Sequence, residues 1–415
     1  GKTRLHTIRR RNTSPVCLMR ISASSNQAST TKFSKLGRNR YDRFIILLIF
    51  GKARTMCRLI PKLPTARWSS VCIFLALLIP ASALSQPLRD PFGPFAVRDQ
   101  FPIKLLFLSL LPQQAELIPD GEIRFSARFA YSNTYAVTRP IGDPRQSMEY
   151  YKAAPLSEYR LFTDSETLRM VFDFAWRMGP KWELGVAIPL LVQRGGFLDD
   201  AVEGFHAFFN MSNGGREKTP RNGYGIYVVR NAHFWIAHDR APPVRFGDVV
   251  FRLKRPLLSA GPPWPTISLA TAIKLPTGQF KHLTGSGGTD VQFALLATQR
   301  LGNRFYLHYN LARTRLGDPD RNTGFPVRSS IISQMLAIEY TTSSKLSIIT
   351  QILSNTSPFP EGRLGPLDRT AYEINAGIKY ALRPDTRFEI GIIENLSQYQ
   401  NTPDVALQVG LELVR

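Results

Sequence analysis

The sequence predicts an all-β chain: an up-and-down, antiparallel transmembrane β-barrel of about twelve strands, with a short helix in one long external loop. Three observations carry this. Beyond Gln86, period-two alternation recurs in segments of about ten residues, the length a tilted strand needs to cross a bilayer. The connections between those segments alternate between long and short. No stretch beyond Gln86 is apolar for long enough to cross as a helix.

The first 85 residues stand apart from this pattern. They carry 16 Lys/Arg against a single acid, Asp42, and hold all three cysteines, Cys17, Cys57 and Cys72. Residues 1–55 are Arg/Ser-rich and are expected to be an unstructured or artefactual extension. Residues 56–85 read as a secretory signal. Arg58, Lys62 and Arg67 precede the apolar run Val71–Ile79, Pro80 ends it, and Ala81 and Ala83 offer small residues for cleavage. Residues 86–120 are expected to form an N-terminal segment or plug at the periplasmic mouth, and residues 121–415 the barrel. The plug expectation comes from Leu105–Leu111 (LLFLSLL). That run is too short to span a membrane and too apolar to stand in water.

Strands are expected at 121–133, 168–178, 182–192, 247–258, 266–274 and 290–300, then at 304–313, 331–340, 346–354, 371–381, 386–394 and 405–414. The first shows the pattern well: Ile123, Phe125, Ala127, Phe129 and Tyr131 alternate with Glu122, Arg124, Ser126 and Arg128. The odd-numbered connections span 34, 54, 15, 17, 16 and 10 residues and the even-numbered ones 3, 7, 3, 5 and 4. Short periplasmic turns and long external loops give this alternation, whereas a Greek-key sandwich has no reason to. The short turns are flanked by Trp176, Trp182, Phe305, Tyr340, Tyr380 and Phe388, as expected of an interfacial aromatic girdle.

Charge and cysteine usage exclude other classes. The net charge of +22 lies mostly in the leader, and residues 86–415 carry 37 basic against 30 acidic residues. No clustered basic patch suits nucleic acid. A body without cysteine has no disulfide, no thiolate nucleophile and no cysteine metal site.

Several motifs resemble a known family. They are Asp90-Pro-Phe-Gly-Pro-Phe-Ala-Val-Arg-Asp-Gln-Phe101, Leu105-Leu-Phe-Leu108, Gly195-Gly-Phe-Leu-Asp199, Glu203-Gly-Phe-His206, Phe246-Gly-Asp248 and Lys274-Leu-Pro-Thr-Gly278. Together they are similar to domain-of-unknown-function family 3187, an uncharacterised bacterial family, over about Pro87 to the C-terminus. The last two motifs also resemble outer-membrane proteins associated with aromatic-compound degradation. The resemblance implies a bacterial outer-membrane location and no established activity. The expected partners are outer-membrane lipid, the barrel-insertion machinery and a small apolar ligand. The insertion machinery commonly reads a terminal aromatic residue, and this sequence ends Leu413-Val414-Arg415. The end is thus expected to be truncated or its signal degenerate.

Strand parity places Arg124, Arg128, Arg169, Asp173, Arg252, Lys254, His308, Glu373 and Lys379 on the lumen face. Mixed signs in a narrow bore are expected to pair and fill it; the sharper alternative is a polar permeation path. In the longest loop, Phe197–Asn210 (FLDDAVEGFHAFFN) is expected to contain a helix with Asp199 as N-cap. Its candidate ligand-binding residues are Asp199, Glu203, His206, Phe205 and Phe209, with Trp235 further along the same loop. The apolar face would act as a lid or ligand-binding element in the mouth. The spacing of Asp199, Glu203 and His206 suits one helix face, but helix-surface ion pairing is the stronger account, so no metal or cofactor is expected. His308 and Asn310 lack a serine in a nucleophile context. The leading expectation is therefore a non-enzymatic, narrow channel or binding barrel for small apolar or aromatic molecules. A non-conducting structural or surface-interaction barrel comes second and an outer-membrane hydrolase third.

Overall fold

The computed structural model describes residues 89–138, 159–208, 213–230, 233–259, 261, 263–319, 324–362, 364–396 and 401–415. The expected extension and signal segment, and the candidate Phe209, lie outside the described residues. Among the described residues the chain forms fifteen strands and one α-helix, α1 (Asp199–Phe208). The strands are β1 (Ile123–Val137), β2 (Tyr159–Met178), β3 (Trp182–Arg194), β4 (Gly225–Arg230), β5 (His233–His238), β6 (Arg245–Phe246), β7 (Val250–Leu258) and β8 (Thr266–Lys274). They continue with β9 (Asp290–Leu301), β10 (Phe305–Arg315), β11 (Ser330–Thr341), β12 (Leu346–Asn355), β13 (Ala371–Arg383), β14 (Thr386–Asn395) and β15 (Val405–Val414).

Twelve of these close a barrel. The ladder runs β1–β2–β3–β7 and on in sequence order to β15, which returns to β1, every pair antiparallel. Phe129 lies opposite both Met170 of β2 and Val409 of β15, so the seam is a full ladder. Closure gives each of the twelve wall strands a ladder partner on both sides, the condition for crossing a bilayer with strands. β8 and β15 match the residues expected from alternation, because their patterning is unbroken. β2 departs most: it begins nine residues earlier than expected, at Tyr159. Residues 159–167 are buried on both faces: Tyr159 and Leu161 enter one apolar cluster and Phe162 another, while β4 pairs with Tyr159–Asp164 beyond the rim. A stretch covered on two sides has no reason to alternate, so period two is silent there. β4, β5 and β6, all drawn from the long loop after β3, are a rim extension of the wall, and alternation gave no sign of them either.

The two faces of the wall differ sharply. Outward positions are apolar and open, among them Ile123, Phe129, Phe174, Ile378, Ile392 and Leu411. Trp176, Trp182, Phe305 and Tyr380 are exposed in a band at the short-turn end, with Tyr340 and Phe388 half-buried beside them. Inward positions are buried and mostly polar or small, such as Ser126, Asp173, Ser268, His308, Gln351 and Asn375.

Candidate functional site

The lumen is occupied by the chain itself. Residues 89–122 enter at the short-turn end, rise through the bore to the long-loop end, and return to the start of β1. Glu339 on β11 marks the entry. Its carboxylate accepts the backbone N–H groups of Phe92 and Gly93 at 2.8 and 2.9 Å and pairs with Arg89 at 3.4 Å. Higher up, Gln351 accepts the Phe95 N–H at 2.8 Å, and Lys379 donates to the Pro94 carbonyl at 2.9 Å. This rising leg packs Phe95 and Val97 against Ala130, Ile349, Ile393 and Ala406.

The apex is a short 3₁₀ turn, Lys104–Leu106. Lys104 pairs with Asp99 at 2.9 Å and donates to the carbonyl of Asn401, which precedes β15. The expectation of a segment at the short-turn mouth covers only its entry and exit, because Phe101, Ile103, Leu106 and Phe107 lie in the largest apolar cluster, at the long-loop end. The descending leg is fastened by Asp290 to the Leu108 N–H (2.7 Å), Asn310 to the Gln113 N–H (2.9 Å), Thr298 to the Ala115 N–H (3.0 Å) and Glu183 to the Ile118 N–H (3.0 Å). Ala270, Ala294, Ala312 and Ala337, small inward residues of β8–β11, make room for Leu110 and Ala115.

Wall side chains therefore do for this segment what a ladder does for a strand. An extended chain buried in a bore must satisfy each N–H and C=O individually. Most of the expected lumen residues take part, or pair with one another. Arg124 meets Glu183 at 3.3 Å, and Lys254 meets the same carboxylate at 3.1 Å while donating to the Glu116 carbonyl at 2.8 Å. Arg128 bridges Glu389 (3.2 Å) and Glu412 (3.1 Å), Lys379 pairs with Glu389 at 3.0 Å, and Arg252 pairs with Asp173. Glu373 is buried and acts electrostatically on Arg98 of the rising leg. Among the described residues, neither the Glu373 nor the Arg169 side chain has a hydrogen-bond or ion-pair partner.

His308 is fully buried, with Thr298 Oγ1 at 3.1 Å from Nδ1 and Glu339 at 3.3 Å from Nε2. Hydroxyl, imidazole and carboxylate stand in the order a nucleophilic triad uses. Thr298, however, already accepts the Ala115 N–H, and two voids in the lumen, of about 10 and 40 Å³, are lined by none of the three. The row braces the segment against the wall.

At the long-loop end two structures meet. The first is a clasp around Arg216, which donates to Asp199, Asn133 and Asp404 with its guanidinium 5.1 Å from the Tyr135 ring. Burial works against the charge on Arg216, but Asp404, Asp199 and Asp164 outweigh it and hold its pKa above the ordinary value. Glu166 completes the clasp by accepting the Phe197 N–H at 2.8 Å. Gly196, at φ 78°, lies so close to that carboxylate that a Cβ would overlap it. The candidate ligand residues do not converge here. Asp199 belongs to the clasp, Glu203 pairs with Arg221 at 2.9 Å and His206 meets Asn213 at 2.9 Å. α1 buries Asp199, Val202 and His206, while Phe205 is 42% and Phe208 82% exposed. The second structure is an aromatic cap. Trp235 stacks on Tyr159 at 5.3 Å and meets Phe325 edge-on at 6.0 Å. Phe325 contacts Phe280 at 5.2 Å and Phe359 at 5.7 Å, and Phe359 contacts Phe107 of the segment at 6.1 Å.

Residues 70–413 match the family described as "Protein of unknown function (DUF3187)". The chain belongs to this family. No curated protein matches the DUF3187 chain. Among solved structures, it is similar to the COG4313 outer membrane channel from Pseudomonas putida F1, with a TM-score of 0.46 and 11% identity over 74% of this chain and 100% of that one. It is also similar to the CymD monoaromatic hydrocarbon channel (TM-score 0.33, 10% identity, 81% of this chain and 97% of that one). The P. putida toluene transporter TodX gives a TM-score of 0.31 at 11% identity, over 71% and 89% of the two chains. The architecture of the DUF3187 chain rests on its own strand pairing.

Arg98, Lys104, Glu339, Gln351, Asp290 and Arg216 went unrecognised in the sequence. Strand parity alone places Glu339 and Gln351 inward. Arg98, Asp99 and Lys104, charges set among Phe and Leu, were a further sign that this stretch needed buried partners.

Proposed function

We propose that the chain is a bacterial outer-membrane channel or binding barrel for small apolar or aromatic molecules, held closed by residues 89–122. The outward apolar belt and the aromatic band at the short turns support a bilayer location. On this reading the short turns, and the two ends of the enclosed segment, face the periplasm, the side on which such barrels carry their short turns. The observation that carries the solute class is the run of ring contacts from half-buried Trp235 through Phe325 and Phe359 to Phe107. It joins the external surface to the apex of the segment, so a flat apolar solute entering among those rings would act directly on the element that closes the bore. The buried ion pairs favour the second reading, a filled barrel that conducts nothing, since charges paired this closely resist rearrangement.

Naphthalene binding, followed by Trp fluorescence in detergent, tests the proposal together with planar-bilayer conductance. The expected result is saturable quenching that Trp235→Leu removes, with unit current steps that increase when naphthalene is added. Quenching without any current supports the filled barrel as a binding protein. Absence of both overturns the proposal.

A further inference from the structure

We propose that the lumen contains a binding site for a small carboxylate, between Arg98 of the enclosed segment and Arg169 of β2. This goes beyond the channel reading, because it holds whether or not the bore conducts. A void of about 40 Å³ lies between the segment and β2, β3 and β7–β9. Arg98, Arg169, Arg252, Ser109, Gln113 and Gln292 give it a polar side, and Leu108, Ala187, Val250 and Ala270 an apolar one. Among the described residues no carboxylate lines it.

The charges around this void do not balance. Arg252 is neutralised by Asp173. Arg98 donates to the backbone carbonyls of Phe107 (2.7 Å) and Lys104 (2.8 Å), which carry no countercharge, and its Nε has no protein acceptor. The Ser109 hydroxyl likewise has no protein partner. Arg169 has none among the described residues, and the charged group acting on it is Arg98, a second cation. Asp99, Asp290 and Glu373 act on Arg98. The first two are held by Lys104 (2.9 Å) and Lys274 (3.4 Å), and none of the three borders the void. Two mutually repelling guanidinium groups away from bulk water are costly unless an anion joins them.

Size and shape narrow the anion. Roughly 10–15 Å³ of such space holds one water, so the void takes a group of three or four non-hydrogen atoms. A planar carboxylate presents two oxygens in the spacing that guanidinium N–H groups match. The apolar side accommodates a methyl group. Formate and acetate fit this description. The smaller void of about 10 Å³ on the other side of Arg169 is lined by Glu389 with Arg128 and thus supplies its own carboxylate.

Calorimetric titration of the purified full chain in detergent decides the matter, in a buffer whose sole anion is a bulky sulfonate. Acetate is expected to bind saturably and acetamide, its neutral isostere, not at all. Arg169→Met should weaken acetate about tenfold or more, the loss of one charge-assisted hydrogen-bonding partner. Arg169→Lys should weaken it less, and Lys345→Met on an exposed turn should have no effect. Heat-modifiable gel mobility reports whether each variant is folded. Should Arg169→Met fail to fold, Ser109→Ala, expected to weaken acetate several-fold, answers the same question. Equal binding of acetamide, unchanged affinity in the folded variants, or no saturable acetate binding overturns the proposal.

Discussion

Along β8, residues Thr266–Lys274 each have a partner across the ladder on β9. In the segment inside the bore, Phe92, Gly93, Phe95, Leu108, Gln113, Ala115 and Ile118 give their N–H groups to wall side chains instead. The wall is held by backbone pairing between adjacent strands. The segment is held by Glu339, Gln351, Asp290, Asn310, Thr298 and Glu183, scattered over β3 and β9–β12. A change to one wall residue leaves the ladder's hydrogen bonds intact. A change to one of these six removes the partner that a segment N–H has among the described residues.

The largest expected effect comes from removing the segment. Deletion of residues 89–112 should leave a wall that still refolds in detergent, while the bore opens to steady, larger unit currents. The aromatic cap should loosen as well, since Phe101, Ile103, Leu106 and Phe107 sit in its core. If the deleted chain shows no heat-modifiable barrel, the contrast between wall and segment fails, and the segment is needed to build the wall.

Glu339→Ala is the sharper test, because it loosens the segment without shortening it. It strands two backbone N–H groups together with Arg89, His308 and Ser347. Breaking a buried charged pair costs about 3–5 kcal/mol. Trypsin should then cut at Arg89 and Arg98 while the wall keeps its gel mobility. Glu339→Gln should have a smaller effect, as it retains an acceptor oxygen. Resistance to trypsin in Glu339→Ala would mean the segment is anchored elsewhere.

The wall's own two faces allow a comparison of intermediate size. Ile378 on β13 is 37% exposed on the outer face, and Asn375 is fully buried on the inner one, donating to Gln408 at 3.2 Å. Ile378→Arg should destabilise the refolded barrel in vesicles by about 2–4 kcal/mol. Asn375→Arg should cost roughly 1–3 kcal/mol, through overpacking of the filled bore. The reverse order in urea titrations would shift the register of β13 by one residue.

The smallest effect concerns pH at the long-loop end. Burial, and then the neighbouring His282, lower the pKa of His238 below its ordinary value of 6.5, with Asp239 opposing. His282 is lowered too, by desolvation and then by Arg245 and Lys281. A histidine lowered in the folded state lets the unfolded state take up protons first. Stability is therefore complete above about pH 6.5 and declines as the pH falls towards the lowered values. Hydrogen-exchange protection at β5 and at residues 279–284, taken relative to the intrinsic exchange rate at each pH, should fall between pH 7 and 5, and His238→Gln should flatten the change. Protection that rises on acidification would reverse the sign.

How much was legible follows the same division. β8, β15 and the inward place of Arg128, Lys254 and Lys379 could be read because one residue and its second neighbour report which face is wet. The site within the bore could not be read that way. Arg98 and Arg169 are 71 positions apart in sequence, and nothing local marks them as neighbours. Leu105–Leu108 read correctly as apolar, but apolarity does not say which end of a barrel will bury it. The clasp was hidden too: Asp199, Glu203 and His206 share a helical spacing, yet Arg216, Arg221 and Asn213 draw them to three different partners.

The seam between β1 and β15 joins the first strand of the wall to the last, so the barrel closes only when the whole sequence has arrived. Residues 89–122 precede β1 and have both ends at the same rim. A doubled chain bearing Phe95, Phe101 and Phe107 would have to be pushed past interlocked ion pairs to enter a finished cylinder. This geometry favours an order of assembly in which the sheet curls around residues 89–122 as a mould closes on a casting core, and the seam is sealed last. Pairing of such sequence-distant partners is intrinsically slow. The interval before sealing is the period in which the interior can be filled.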